Sequence, residues 1–93
     1  MAHINQELEG AKAAKAAINA LSTASPKSAV RATVNKAKHD AILNLSSGGS
    51  LNAARANAGI AISNVLDGLP TPEKIDNAER AIEAWIKELE RSL

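Results

Sequence analysis

Cysteine, phenylalanine and tyrosine are absent from this 93-residue chain, and Trp85 is its only aromatic residue. Without cysteine there is no disulfide frame, no thiol nucleophile and no cysteine-ligated zinc site. With one aromatic side chain there is no row of platforms on which unpaired bases could stack. No run of about 18 apolar residues occurs, so no membrane-spanning helix is predicted. Nor is there a basic segment leading into an apolar one, and the expected setting is therefore cytoplasmic, without membrane contact. A glycine-rich phosphate loop, a dinucleotide fingerprint and a Gly-x-Ser-x-Gly nucleophile elbow are missing as well.

What is present is alanine, at twenty positions. Alanine favours helix and lets helices approach closely, yet it buries little apolar surface. Apolar residues recur at helical spacing throughout, and no segment alternates as a strand would. The expected fold is all-α, an antiparallel four-helix bundle in one domain over residues 1–93, with helices at about 4–22, 26–45, 51–67 and 72–92. The first stripe is Ile4, Leu8, Ala11, Ala14, Ile18 and Leu21. The second is Val30, Val34, Ala37, Ala41 and Leu45, with Ile42 to one side. The third is Leu51, Ala54, Ala58, Ala61, Ile62 and Val65. The fourth is Ile75, Ala78, Ile82, Trp85, Ile86, Leu89 and Leu93, backed by Asp76–Arg80 and Glu83–Lys87 pairs at four-residue spacing.

Punctuation between the stripes supports this division. Ser25-Pro26 and Thr71-Pro72 each offer an N-cap followed by proline in the first turn. Gly48 is placed to end the second helix and Ser50 to cap the third, with 46–50 as a flexible connection. The chain thus reads as two helical hairpins joined by that connection. If the connection straightened, two chains could exchange hairpins and form an intertwined dimer.

The net charge of +1 conceals a basic middle and an acidic end. Residues 11–60 carry seven cations against Asp40 alone, whereas residues 61–93 carry seven acids against four cations. Lys27, Arg31, Asn35 and Lys38 fall within about 80° of arc on the second helix. Together with Arg55 they are the candidates for contact with an anion or nucleic acid, since free amides at that helix start would add to the attraction. Long cations flanking a core with their heads in water are the simpler reading of the same stripe.

No convergent catalytic group stands out. His3 and Glu7 are four apart, as metal ligands sometimes are, but no second ligand pair accompanies them, and the simpler reading leaves both side chains in water. His39 and Asp40 are adjacent and diverge on a helix, which leaves His39 solvated. No catalytic residue, metal or cofactor is expected. Apolar residues on the second faces of the middle helices, Ala29, Ala32 and Leu43 on one, Ala53 and Ile60 on the other, exceed what a single bundle requires. Leu43 and Ile60 are accordingly candidate protein-contact residues; Trp85 joins them as an interface anchor, although filling the widest gap in the core is the simpler reading of it. The leading expectation is a small non-enzymatic module that binds a protein partner or itself in an assembly, adaptor or regulatory role. A nucleic-acid-binding regulator using the basic stripe is the second.

Overall fold

Among the described residues, a computed structural model has four α-helices: α1 (Ala2–Ile18), α2 (Ser28–Leu43), α3 (Ser50–Leu66) and α4 (Pro72–Arg91). The structure describes residues 2–19, 28–44, 49–68 and 70–93, with residues 2, 3, 28 and 29 described through their backbone alone. The Ser25-Pro26 cap, Gly48, Leu21, Leu45 and Lys27 lie outside the described residues. So do the side chains of His3 and Ala29.

The start of α4 follows from its sequence. The Thr71 side chain accepts a hydrogen bond from the Lys74 backbone N–H at 3.3 Å, and Pro72 occupies the first turn, where its missing N–H costs nothing. Glu73 adds an acid to that turn and Arg91 a cation to the last, both matched to the helix dipole. One expectation about helix starts needs correction. Ser50 does not cap α3: Gly49 does, at φ 87°, a region open to glycine, while Ser50 is already helical and its Oγ donates to Glu88 Oε1 at 2.8 Å.

Each helix packs on two neighbours, α1 on α2 and α4, and α3 on α2 and α4. The contacts run consecutive helices in opposite directions. Glu7 near the start of α1 meets Asn44 just after α2, Arg31 near the start of α2 meets Leu66 at the end of α3, and Ser50 meets Glu88 late in α4. The bundle measures 36 × 21 × 18 Å, with a radius of gyration of 12.3 Å. That equals the roughly 12 Å expected of a compact chain this long, so no helix extends away from the core.

The buried face of each helix is the stripe its spacing predicts. Leu8, Ala11, Ala14 and Ile18 come from α1; Val34, Ala37 and Ala41 from α2; Ala54, Ala58, Ile62 and Val65 from α3; and six residues from Ile75 to Leu89 from α4. Alanines thus face the interior of every helix and let the backbones draw together, while bulk comes mainly from isoleucines, leucines and Trp85. Leu93 departs from the expected α4 stripe and is exposed, being past the end of the helix. Outside the core, Arg80 pairs with Asp76 at 2.9 Å as expected. Glu83 turns instead to Lys15 of α1, whose ammonium donates to its carboxylate and holds its pKa below the usual carboxylate range, with Lys87 contributing only at a distance.

Candidate functional site

Among the described residues two charged side chains sit inside the bundle, and they form the first of two features that stand apart from ordinary packing. Glu7 is 3% exposed and Arg55 8%, although both were read from sequence as surface groups. Their burial follows from register: Glu7 lies on the apolar side of α1, three residues after Ile4 and four before Ala11. Arg55 likewise lies four after Leu51 and three before Ala58. The Arg55 guanidinium grips the carboxylate with two bonds, Nε to Oε2 and Nη2 to Oε1, each 2.8 Å. Trp85 Nε1 donates to Oε2 at 2.7 Å and Asn44 Nδ2 to Oε1 at 3.2 Å. Arg55 Nη1 also donates to the Asn44 carbonyl at 3.0 Å, satisfying an acceptor left free just past the end of α2.

This cluster joins α1 to α3, two helices that do not pack directly on each other, and recruits α4 and the end of α2. Among the described residues, no buried side-chain nitrogen or oxygen lacks a partner. A bidentate pair in which each buried side-chain nitrogen and oxygen has a partner is the arrangement in which buried charges are tolerated. Two of the sequence-derived candidates are thereby reassigned. Arg55 is engaged by Glu7 and is not presented to an anion. Trp85 is fully buried and presents no surface to a partner.

The second feature is on the outside of α2 and α3. The only charged residue of α3 is the buried Arg55, so the exposed side of that helix, with Ala53, Asn57, Ile60 and Asn64, bears no charge at all. Ile60 is 63% exposed there, and Ile42 of α2 is 49% exposed. The two flank a cavity of about 340 Å³ whose floor includes Ala56 and Gly59. Toward the other end of the same helix pair, Arg31, Asn35, Lys38, Leu66 and Asp67 line a cavity of about 530 Å³. Ser63 lines both, so the two cavities adjoin along the groove between α2 and α3, the one apolar and the other polar. Arg31 is anchored there by a 2.8 Å bond from Nη2 to the Leu66 carbonyl, a cation at the C-terminal end of α3.

Of the protein-contact candidates, Ile60 therefore lies on this groove. Leu43 is 67% exposed but lines a different cavity between α1 and α2, beside Glu9, Lys36 and Asp40. The neighbour of Ile60 is Ile42, which sequence reasoning left to one side of its stripe. Gly59 was the available signal, because glycine inside a helix often marks a close approach. Of the basic candidates, Arg31 and Lys38 share the groove with Asn35, and Asp67 is at its mouth. His39 is exposed as expected. Among the described residues no three histidines or acids gather as metal ligands, and no helix is long and apolar enough to cross a membrane.

Gly59 also gives a test of this packing. A Cβ added there would meet only Ile42, at 3.5 Å from Cγ1. Gly59→Ala is therefore expected to raise stability by about 0.5–1 kcal/mol through helix propensity, read from the urea midpoint. A loss of similar size would mean that α2 and α3 sit closer than described. Comparison with protein-family models, curated proteins and solved structures finds no match for this chain.

Proposed function

We propose that this chain is a non-enzymatic protein–protein interaction module whose contact surface is the outer face of α2 and α3, centred on Ile42 and Ile60. The observation that carries this reading is the pairing of two large apolar side chains, 49% and 63% exposed, on the side of the bundle where α3 offers no charge. The fold does not require isoleucine at either place, since a polar residue would serve a solvated helix face better. Covering them removes apolar area from water without desolvating an unpaired charge. The module serves assembly, adaptation or regulation through that contact.

Self-association is one form of this activity, either face to face or by the exchange of hairpins. Mass in solution over a wide concentration range, for the wild type and for Ile60→Glu, separates these. Ile60→Glu is expected to keep the helical circular dichroism and to abolish association with a second copy or with a partner retained from host extract. An exchanged dimer would survive the substitution. A wild type that stays monomeric at millimolar concentration and retains no partner overturns the proposal. The nucleic-acid reading rests on Arg31 and Lys38 lining one groove, with Lys27 nearby in sequence. It has lost Arg55 and gains Asp67 as an opposing charge. A gel shift at low salt tests it, and binding that weakens in Lys38→Gln would favour it.

A further inference from the structure

We infer that the groove between α2 and α3 receives an amphipathic α-helix of a partner protein, its apolar turn on Ile42, Gly59 and Ile60 and a carboxylate one turn further on facing Lys38. This inference rests on the interaction reading above and specifies the occupant.

Shape argues for a helix. The groove runs from Arg31 to Ile42 along α2 and from Asp67 to Ala56 along α3. Both stretches rise about 16 Å, or three helical turns. Its walls are helices whose backbone groups are already paired, so an extended strand would find no ladder to join. Ala56, Gly59 and Ser63 are small and spaced three and four apart, which leaves a shallow channel for the ridge of another helix.

Charge argues for a carboxylate and fixes its position. The apolar end of the groove has no ionisable group. Lys38 is four residues, or one turn, from Ile42, and Arg31 is two turns beyond that, with its guanidinium already on the Leu66 carbonyl. Asp67 closes the far mouth, so a second acid placed there would be repelled. The matching helix therefore bears its apolar residues on one turn and its acid on the next, not a long acidic run. A second copy fits less well. Its α2–α3 face would bring uncharged α3 residues, the same cations and, within the groove, Asp67 as the one carboxylate, which lines the polar cavity and not the apolar one beside Ile42 and Ile60. Its Leu93, three residues after Glu90, offers only one exposed apolar side chain.

The test titrates the isotope-labelled full chain with capped synthetic helical peptides of about 15 residues, followed by amide chemical shifts. One peptide carries a leucine turn followed by a glutamate turn, in both chain orders. A second replaces glutamate by lysine and a third replaces leucine by alanine. The expected result is saturable shifts confined to residues 31–42 and 56–67 with the glutamate peptide. Its affinity should exceed that of the lysine peptide by about 1.5-fold to fivefold, the range of an exposed ion pair. Lys38→Gln should erase that preference and Lys38→Glu reverse it, while the alanine peptide should bind weakly or not at all.

Equal binding of the acidic and basic peptides, or shifts elsewhere on the bundle, overturns the occupant. So does a concentration-dependent dimer through this face, which Ile60→Glu dissolves, or nucleic-acid binding that displaces the peptide. In the dimer case the interaction face stands and only the foreign helix falls. No shift with any peptide, together with a strict monomer that retains no partner, removes both the occupant and the module.

Discussion

Replacing Arg55 by alanine is expected to cost about 3–5 kcal/mol of folding stability, the range for stranding one member of a buried ion pair. The substitution removes both guanidinium bonds to Glu7 and the bond to the Asn44 carbonyl. Glu7 would keep only the Trp85 and Asn44 donors at a position 3% exposed. For a domain whose whole stability lies near 5–15 kcal/mol, that loss is a large fraction. Urea unfolding followed by circular dichroism measures it, with the slope of the transition showing whether the native state has loosened. A double variant, Glu7→Leu with Arg55→Met, should lose less than Arg55→Ala alone, because no buried charge is left unpaired. Its remaining defect is the orphaned Trp85 N–H, at about 1–3 kcal/mol. If Arg55→Ala costs under about 1 kcal/mol, as an exposed pair would, the cluster is not the buried contact described here.

Most of the bundle was legible because helical packing is a local pattern repeated. The α4 stripe from Ile75 to Leu89, the Thr71-Pro72 start and the Asp76–Arg80 pair can each be read within a few residues, and each is found. The interior cluster was harder to read, since Glu7 and Arg55 are 48 residues apart and their pairing is a property of the assembled bundle. A trace of it was nonetheless present. Both residues fall on the apolar side of their helices, with opposite charges, and Trp85 supplies a donor on a third stripe. Charge type suggested the surface while register suggested the core, and register was the better guide. Similarly, Glu83–Lys87 has ideal local spacing, yet Lys15 on α1 takes Glu83, because a neighbouring helix presents a cation at closer range. The outer groove shows the same limit. Ile60 was legible as a residue in excess of one apolar face, whereas its neighbour Ile42 follows from how α2 and α3 align. What a groove of this kind binds is legible only as complementary shape and charge.

Trp85→Ala is expected to be comparably severe, at about 3–5 kcal/mol. Trp85 is wholly buried and is the largest enclosed side chain among the described residues. A void left by a large side chain is least costly when its neighbours can rotate into it. Here many of the core positions, including Ala11, Ala14, Ala54, Ala58 and Ala78, have no side-chain torsion with which to do so. The core should therefore collapse poorly, and the loss should lie toward the upper end of that range. The indole also donates to Glu7, so its removal weakens the ion-pair cluster as well as the packing. Trp85→Phe separates the two contributions: it keeps much of the volume but removes the N–H. Loss of a bond to a charged group predicts a cost of about 1.5–3 kcal/mol for that variant. Because Trp85 is the only tryptophan and the chain lacks tyrosine, unfolding of both variants is followed by far-ultraviolet circular dichroism. Effects at neighbouring sites are not additive, so Trp85→Phe combined with Arg55→Ala should cost less or more than the two single losses summed. Simple additivity would show that Trp85 and Arg55 do not share Glu7. A Trp85→Ala protein as stable as the wild type would place the indole outside the core, at a surface where it could anchor an interface.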